Sequence, residues 1–305
     1  MTTLPTETPA TDPDSSVDYD VAVGGGGAAG LSAAVFTARY GLETVVFDGG
    51  KAAITQCAHV ENYLGFPGGV SPDRLLALGR TQASDEGATV VDERVTAVSR
   101  HDEEATRVDD EETQFVVATT DRETVADRVV VAAAYDGDVL EPLGDALPEP
   151  DPFVPTDAGR TDIDGLYVAG WASDETVHQV GVNVGHGTRV GLTVARDDMS
   201  ERYWPAVGER YVDWVVHEGR YGGDGWTDHI DEWFEEEMRP ADDDLGPATV
   251  EQTRDDLAAE FLGREIDETE RRRRDRAGQR RLLDHLDDEV IREYAAELDA
   301  TETSE

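Results

Sequence analysis

The stretch Val23–Leu31 reads VGGGGAAGL, and it decides how the first half of the chain folds. Gly25, Gly27 and Gly30 have the spacing G-x-G-x-x-G. In that motif the first glycine permits a tight turn, the second lets a pyrophosphate approach the backbone, and the third lets helix and strand pack closely. The alternative is a flexible glycine turn without a ligand. The spacing predicts a dinucleotide-binding turn, with phosphate at the N-terminus of the following helix.

The flanking residues have the order that this turn requires. Apolar VAV at residues 21–23 predicts a strand before the glycines, and GLSAAVFTARYG predicts a helix of small residues after them. The run TVVFD then predicts a second buried strand, which ends at Asp48. A carboxylate there can accept hydrogen bonds from a ribose diol, which favours an adenosine ribose over a 2′-phosphorylated one.

Further along the chain, three apolar or alternating runs at 94–100, 114–120 and 128–134 predict a small antiparallel meander that leads into a core strand. GLYVAG at 165–170 predicts another buried strand, followed by a helix. From about residue 200 the composition changes, with many aromatic residues and then helical patterns. The aromatics fit ordinary core packing better than a ligand surface.

The charge of the chain excludes several classes of partner. Its 68 acidic and 26 basic residues give a net charge of −42, and Lys51 is the only lysine. Such an excess repels nucleic acids and anionic lipids, so we expect neither as a partner. It resembles the surfaces of proteins from salt-accumulating halophiles, although an acidic surface for a basic partner is an alternative. Neither a signal peptide nor a membrane span is predicted, and one cysteine fits a cytoplasmic protein.

A resemblance to a known family is carried by three blocks of the sequence, at residues 18–48, 60–76 and 161–187. In their residues and their order, these blocks resemble the flavin domain of thioredoxin-reductase-like pyridine nucleotide-disulfide oxidoreductases. The resemblance implies extended FAD with its pyrophosphate at the glycine turn and its adenosine ribose at Asp48. It also implies that Asn62, Gln179 and Val180 lie near the flavin, and that Gly170 lies near the ribityl chain.

This sequence departs from the family's pattern in two respects, and both change what the resemblance implies about the site and the activity. Trp171 occupies the position of the family's aspartate after AG, so Asp174 or Ser173 would have to replace that contact. Only about thirty residues separate Ala134 from Gly165, which is too few for the family's second dinucleotide domain. Relay through a dithiol needs two sulfurs, and this chain has one. Thioredoxin reductase activity in its usual form is therefore not expected.

Cys57 and His178 are the candidate catalytic residues. Cys57, with His59 two residues away, is either a reactive thiolate near the flavin or a buried small apolar residue, and free cysteines are commonly buried. His178 would stabilise charge on reduced flavin or shuttle a proton, or else serve packing alone. The other histidines show no metal-ligand spacing, so no metal site is predicted.

We therefore predict an α/β fold with three parts. These are a disordered acidic tail over residues 1–17, a Rossmann-like FAD-binding domain with a small antiparallel meander over 18–199, and a mainly helical C-terminal extension over 200–305.

The predicted function is that of an FAD-dependent oxidoreductase without the NADPH domain or the redox dithiol, which takes electrons from an external donor. The alternatives are a non-catalytic FAD-binding or redox-sensing module and an NAD-dependent dehydrogenase, although the latter leaves GLYVAG unexplained. The oligomeric state stays open, with a homodimer as one candidate.

Overall fold

The computed structural model describes residues 18–101, 114–133, 137–146, 157–211, 216–217, 224–239 and 245–302, with only the backbone described at 137, 145–146, 224–227 and 302. The predicted tail at 1–17 lies outside these ranges. The chain divides into two units. Unit 1 is Met1–Asp213 with Glu235–Val250, and unit 2 is Trp214–Phe234 with Glu251–Glu305.

Unit 1 is built on one seven-stranded sheet in the order β3-β2-β1-β6-β5-β4, with β7 also paired to β6. The strands are β1 (Tyr19–Gly24), β2 (Thr44–Phe47), β3 (Thr89–Val91), β4 (Val95–Arg100), β5 (Phe115–Thr119), β6 (Glu123–Val131) and β7 (Leu166–Val168). β1, β2, β3, β6 and β7 pair in parallel, while β4, β5 and the first half of β6 pair in antiparallel. The predicted Rossmann-like sheet and its antiparallel meander are confirmed.

Strand β6 joins the two kinds of pairing because it is longer than its neighbours. Glu123–Ala126 pair with β5 in antiparallel, and Val129–Val131 pair with β7 in parallel on the same edge. The opposite edge of β6 pairs with β1. The meander therefore leads directly into the sheet that carries the glycine turn.

The described part of the chain contains eight helices, and the first of them covers the predicted run of small residues. They are α1 (Ala28–Tyr40), α2 (Pro72–Glu86), α3 (Val180–Arg202), α4 (Pro205–Arg210), α5 (Asp224–Glu237), α6 (Pro247–Leu262), α7 (Glu268–Leu283) and α8 (Asp288–Glu302). Short 3-10 turns lie at Ala53–Gln56, Gly137–Ala146 and Gly170–Ala172. The Ser71 hydroxyl accepts a hydrogen bond from the Arg74 N–H and caps α2, while Gly41 and Gly87 end α1 and α2 in left-handed conformation. The helical C-terminal extension is confirmed.

Helices α1 and α3 pack with their backbones in close contact. A Cβ on Gly191 would lie 2.6 Å from the Ala33 carbonyl oxygen, and a Cβ on Gly187 would clash with the Ala29 backbone. The Ser32 hydroxyl also donates to the Val184 carbonyl at 2.9 Å. Small residues therefore bring the two helices together along one side of the sheet.

Ion pairs and hydrogen bonds fix the second half of α3 against the sheet and α1. Buried Arg128 on β6 pairs with Asp198 and Glu201. The Tyr40 hydroxyl donates to Asp198 at 2.8 Å, and the Tyr167 hydroxyl donates to Asp197 at 2.7 Å. The acidic side chains of α3 are thus neutralised where the helix meets the core.

Several of the aromatic residues beyond residue 200 are buried, as predicted for packing. Trp204 and Tyr211 are buried in unit 1, and Phe234 is buried in unit 2. Trp214, Tyr221 and the side chain of Trp226 lie outside the described residues. None of the helices that the structure describes combines the length and the apolar character that crossing a bilayer would require.

Candidate functional site

A cavity of about 610 Å³ in unit 1 contains most of the predicted site residues. Its walls are the glycine turn after β1, the segment after β2, the end of β6 and the N-terminal end of α3. This is the carboxyl end of the parallel strands, where open α/β sheets bind their ligands. The volume falls within the range of sites for small molecules and cofactors.

Two of the four consecutive glycines exclude a side chain for steric reasons, and a third does not. Gly25 has φ of 128°, and a Cβ there would lie 2.7 Å from the Ala132 carbonyl oxygen. A Cβ on Gly26 would clash with the Asp48 carboxylate. At Gly27, by contrast, a Cβ would meet only Ala52 Cβ within 4 Å, at 3.6 Å. The turn therefore excludes side chains at Gly25 and Gly26 for the fold, and leaves space at Gly27 beside the cavity.

Gly30 holds the turn against the helix. A Cβ there would clash with the carbonyl oxygen of Gly25. This is the close packing that the third glycine of the motif was predicted to permit. Gly30 is not among the residues that line the cavity.

One end of the cavity is suited to an anion. Gly27 is the N-cap residue of α1 and contributes no side-chain cap, so the first N–H groups of the helix remain for a ligand. Lys51 and Arg94 also line the cavity. The contact between Gly27 and Ala52 places the neighbouring Lys51 close to the glycine turn.

Sequence reasoning missed Lys51 and Arg94 as site residues. A signal for Lys51 was present, because the only lysine of a chain with net charge −42 follows three residues after Asp48. Arg94 gave no comparable signal. Its position depends on packing, because its side-chain stem would lie 3.3 Å from a Cβ on Gly49.

Asp48 lines the cavity in a fixed orientation. Its Oδ1 accepts a hydrogen bond from the Gly50 N–H at 2.9 Å, and its Oδ2 pairs with Arg80 of α2. Arg80 also donates to Asp92 at 2.6 Å. The remaining lone pairs of the Asp48 carboxylate are available to a ligand hydroxyl, although Arg80 offsets its charge.

Two predicted residues from distant blocks meet at another part of the wall. Asn62 Nδ2 donates to Gln179 Oε1 at 2.8 Å, and both residues line the cavity together with Val180. His178 lines it too, and its ring stacks on Trp171 with 4.4 Å between the ring centroids. Trp171 thus brings an aromatic ring to the cavity where the family resemblance implied a carboxylate.

Neither proposed substitute for that carboxylate lines the cavity. Asp174 is exposed outside it, and Ser173 is buried, with its hydroxyl donating to the Gly170 carbonyl at 2.7 Å. Gly170 itself has φ of 66° and lies against Ala29, because a Cβ there would be 2.8 Å from Ala29 Cβ. Gly170 therefore packs against α1 and is not among the residues that line the cavity.

His186 of α3 supports this turn from outside the cavity lining. Its Nδ1 accepts a hydrogen bond from the Gly170 N–H at 3.1 Å and lies 3.3 Å from the Ser173 hydroxyl. Burial lowers the pKa of His186 below its ordinary value of 6.5. At neutral pH the ring is therefore uncharged, which leaves Nδ1 as the acceptor for the Gly170 N–H.

Cys57 is exposed and lines the cavity, and His59 lines it as well. The interpretation of Cys57 as a buried apolar residue is wrong, because the segment after β2 runs along the cavity wall instead of through the core. Its catalytic role stays a prediction. Within the described ranges, no three His, Cys, Asp or Glu side chains cluster in a way that would hold a metal ion.

Comparison with known proteins shows what the part of the chain that carries this sheet and glycine turn is similar to. Residues 19–134 match the family model described as pyridine nucleotide-disulphide oxidoreductase. The chain is 42% identical over 81 residues to thioredoxin reductase of Aquifex aeolicus, a match that covers 26% of this chain and 25% of that protein. It is 37% identical over 89 residues to thioredoxin reductase of Treponema pallidum, covering 28% of each. The predicted resemblance to thioredoxin-reductase-like oxidoreductases is confirmed, over about a quarter of the length of these relatives.

Solved structures show the same fold. A thioredoxin reductase from Gloeobacter violaceus superposes with a TM-score of 0.54 at 17% identity, covering 65% of this chain and 99% of that one. The thioredoxin reductase of T. acidophilum superposes with a TM-score of 0.50 at 16% identity, covering 60% and 99%. At such identities the likeness establishes the fold alone.

Proposed function

We propose that the cavity binds FAD and that the chain is a flavin-dependent oxidoreductase related to thioredoxin reductases, with a separate molecule as its electron donor. The observation that carries this proposal is the cationic end of the cavity, formed by the glycine turn, Lys51 and Arg94. Bound FAD would supply reversible two-electron transfer to and from a substrate.

The charge of the cavity supports a phosphate-bearing ligand. Acidic residues outnumber basic ones by 68 to 26 in the whole chain, yet the cavity is lined by two cations and one carboxylate, Lys51, Arg94 and Asp48. Cations that lie beside an uncapped helix N-terminus form charge-assisted hydrogen bonds with phosphate oxygens. The local reversal of charge therefore favours a pyrophosphate at this end.

The rest of the wall supplies groups suited to a flavin ring. The amides of Asn62 and Gln179 offer a donor and an acceptor beyond the hydrogen bond that joins them. The stacked pair of Trp171 and His178 presents an aromatic surface and an imidazole, whose ring nitrogens can donate or accept a hydrogen bond. We assign Asn62 and Gln179 to positioning the ring, and His178 to proton transfer.

The electron donor is proposed as a separate molecule for two reasons. β6 ends at Val131 and the neighbouring β7 begins at Leu166, an interval too short to hold a whole second dinucleotide domain. The single Cys57 cannot form the disulfide that a dithiol relay needs within one chain. A diffusible nicotinamide, a ferredoxin or a partner reductase would fill this role.

The binding proposal is tested with protein purified in high salt. We expect the absorbance peaks of oxidised flavin, or their recovery when FAD is added. Protein that stays colourless and binds no FAD would overturn the proposal. Lys51→Gln and Arg94→Gln should each weaken FAD binding by about tenfold, the equivalent of roughly 1.4 kcal/mol for a charge-assisted hydrogen bond.

Arg39→Gln is the matched control, because it removes the same charge from a residue that pairs with Glu86 outside the cavity. It should leave the affinity for FAD unchanged. Equal losses in all three variants would mean that net charge, rather than contact at the cavity, controls binding.

The second candidate function is an FAD-binding or redox-sensing module without turnover, which the single cysteine favours. The two candidates differ in how the reduced protein behaves. An oxidoreductase should show rapid reoxidation of photoreduced flavin by at least one class of acceptor, such as a quinone, a disulfide or ferricyanide. Uniformly slow reoxidation, with FAD still bound, would favour the module.

A further inference from the structure

Two carboxylates lie side by side at the carboxyl ends of neighbouring strands. β2 and β3 pair in parallel with Phe47 opposite Val91, and the Asp48 N–H donates to the Val91 carbonyl at 2.8 Å. Asp48 and Asp92 therefore follow the two strands in register, and neighbouring strands are only about 4.8 Å apart. Since like charges at such a separation repel each other, a cation that contacts both carboxylates stabilises this arrangement.

Arg80 of α2 is the cation that joins these two carboxylates. Its Nη1 pairs with Asp48 Oδ2, and its Nη2 donates to Asp92 Oδ1 at 2.6 Å. The guanidinium group of arginine presents its donors in a rigid planar fork, so it can hold two acceptors in a fixed relation. Arg80 is not among the residues that line the cavity, whereas Asp48 is. Arg80 therefore acts on a ligand of the cavity through Asp48.

The packing of α2 against α1 sets the position of Arg80. A Cβ on the preceding residue, Gly79, would lie 3.1 Å from Leu31 Cδ1, so glycine lets the two helices approach closely at this point. The Asp48 carboxylate in turn fills the space that a Cβ on Gly26 would take. Asp48 is therefore in contact with both the glycine turn and Arg80, and its side chain is only 12% exposed.

We propose that Arg80 is a positioning residue that makes the cavity selective for an adenine nucleotide with a free ribose 2′-hydroxyl. This selectivity rests on the proposed function, in which the pyrophosphate of FAD lies at the glycine turn. Arg80 and the Gly50 N–H each occupy one oxygen of the Asp48 carboxylate, and each oxygen keeps a further acceptor site for a hydroxyl of the ribose diol. Without Arg80, repulsion by Asp92 would turn the Asp48 carboxylate out of this orientation.

The same pairing withholds Arg80 from a phosphate on the 2′-hydroxyl. In dinucleotide-binding folds an arginine near this position accommodates a 2′-phosphate. Here Arg80 already pairs with Asp48 and Asp92, and of these three residues only Asp48 lines the cavity. An incoming 2′-phosphate would meet a carboxylate, and the repulsion between them selects against that nucleotide.

The first experiment measures the dissociation constants of ADP and 2′-deoxy-ADP with the full chain by calorimetric titration at one salt concentration. The unaltered protein should bind ADP about tenfold more tightly, since only its 2′-hydroxyl can donate to a charged acceptor. Arg80→Gln should reduce this ratio to about twofold or less, because the acceptor is no longer oriented. A loss of structure would weaken the binding of both nucleotides alike, so the ratio distinguishes positioning from a structural role.

Arg39→Gln is the matched control, because Arg39 pairs with Glu86 of the same α2 helix and neither residue lines the cavity. It should leave the ratio of the two affinities unchanged. The proposal is overturned if the unaltered chain binds both nucleotides alike, or if Arg80→Gln keeps the ratio. An equal loss of the ratio in Arg39→Gln would also overturn it.

The second experiment looks for a gain of binding, which a misfolded variant cannot produce. Asp48→Ser removes the carboxylate and leaves Arg80 beside the ribose, so the affinity for 2′-phospho-ADP should rise about tenfold over that of the unaltered protein. Adding Arg80→Gln to this variant should abolish the gain. If Asp48→Ser shows no gain, or the double variant keeps it, the gain does not come from Arg80 and the proposal is overturned.

Failure of this proposal and failure of the proposed function give different results. A chain that binds FAD and ADP but does not distinguish ADP from 2′-deoxy-ADP would keep the flavin site and lose the role of Arg80. A chain that binds ADP selectively but takes up no FAD would keep the role of Arg80 and overturn flavin binding. A chain that binds neither FAD nor ADP would overturn both.

Discussion

Asn62 Nδ2 donates a hydrogen bond of 2.8 Å to Gln179 Oε1, although the two residues are 117 positions apart. The bond joins the segment after β2 to the N-cap residue of α3, and both side chains line the cavity. Two of the three blocks that carry the family resemblance therefore meet at one point of the cavity wall.

The side-chain amides of Asn62 and Gln179 should contribute to FAD binding as a hydrogen-bonded pair, so removal of either should weaken binding. We expect Asn62→Ala and Gln179→Ala each to raise the dissociation constant for FAD about fivefold. The double variant should raise it by less than the product of the two single increases. The reason is that either substitution already breaks the shared hydrogen bond, so the coupling should be about 1 kcal/mol. Fluorescence titration with FAD measures all four affinities, and strictly additive losses would contradict a shared role.

Substitutions within the glycine turn should separate folding from binding. Gly25→Ala and Gly30→Ala should lower the free energy of unfolding by about 1–3 kcal/mol, since each Cβ meets backbone atoms that pack the turn. Gly27→Ala has room for its methyl group and should keep its stability, yet lose affinity for FAD because the methyl group lies where a phosphate would approach. Denaturant unfolding and FAD titration measure the two effects. A Gly27→Ala variant that binds FAD normally would place the pyrophosphate elsewhere.

Cys57 should react with a thiol reagent in the folded protein, because it is exposed at the cavity. FAD should slow this reaction by roughly tenfold, since a bound cofactor covers most of the wall it contacts. Cys57→Ser supplies the background rate. A reaction rate that is the same with and without FAD would indicate that the cofactor does not cover this segment.

The ion pairs of Arg128 should contribute more to the free energy of unfolding than the other arginine ion pairs that join separate elements of unit 1. Arg128→Met removes the buried guanidinium that pairs with Asp198 and Glu201, so we expect a loss of about 3 kcal/mol in the free energy of unfolding. Arg39→Met, which breaks a more exposed pair with Glu86, should cost less than about 1 kcal/mol. Chemical denaturation at constant salt compares the two, and equal losses would contradict the importance of burial.

His186 should make stability depend on pH in the range just below neutral. Burial lowers its pKa in the folded state, whereas the unfolded chain takes up a proton near the ordinary value of 6.5. The unfolded state therefore binds more protons as the pH falls from 7 to 5, and the folded state loses stability over that range. His186→Asn keeps an acceptor for the Gly170 N–H without titrating, so the stability difference between the two proteins should change with pH. A stability difference that does not change with pH would mean that the pKa of His186 is the same in the folded and unfolded states.

The strand, the glycine turn, the helix and the meander could be predicted from the sequence because they depend on local properties. Alternating apolar residues set the strands, Ser71 and Gly87 mark the ends of α2, and Gly25 needs a positive φ that other residues avoid. The positions of Asn62 and Gln179 were predictable only through the family resemblance, since nothing local relates residues so far apart.

The sequence by itself determined a Rossmann-like sheet with a tight glycine turn between β1 and α1, because periodicity and glycine spacing act over a few residues. Tertiary structure alone decided that Gly26 must be small to admit the Asp48 carboxylate, that Lys51 and Arg94 share the cavity with it, and that Cys57 faces solvent. It also decided that Trp171 stacks on His178, and that the apolar side of α8 stays exposed. These features arise where separate segments pack together, and the distances between such segments depend on the whole chain.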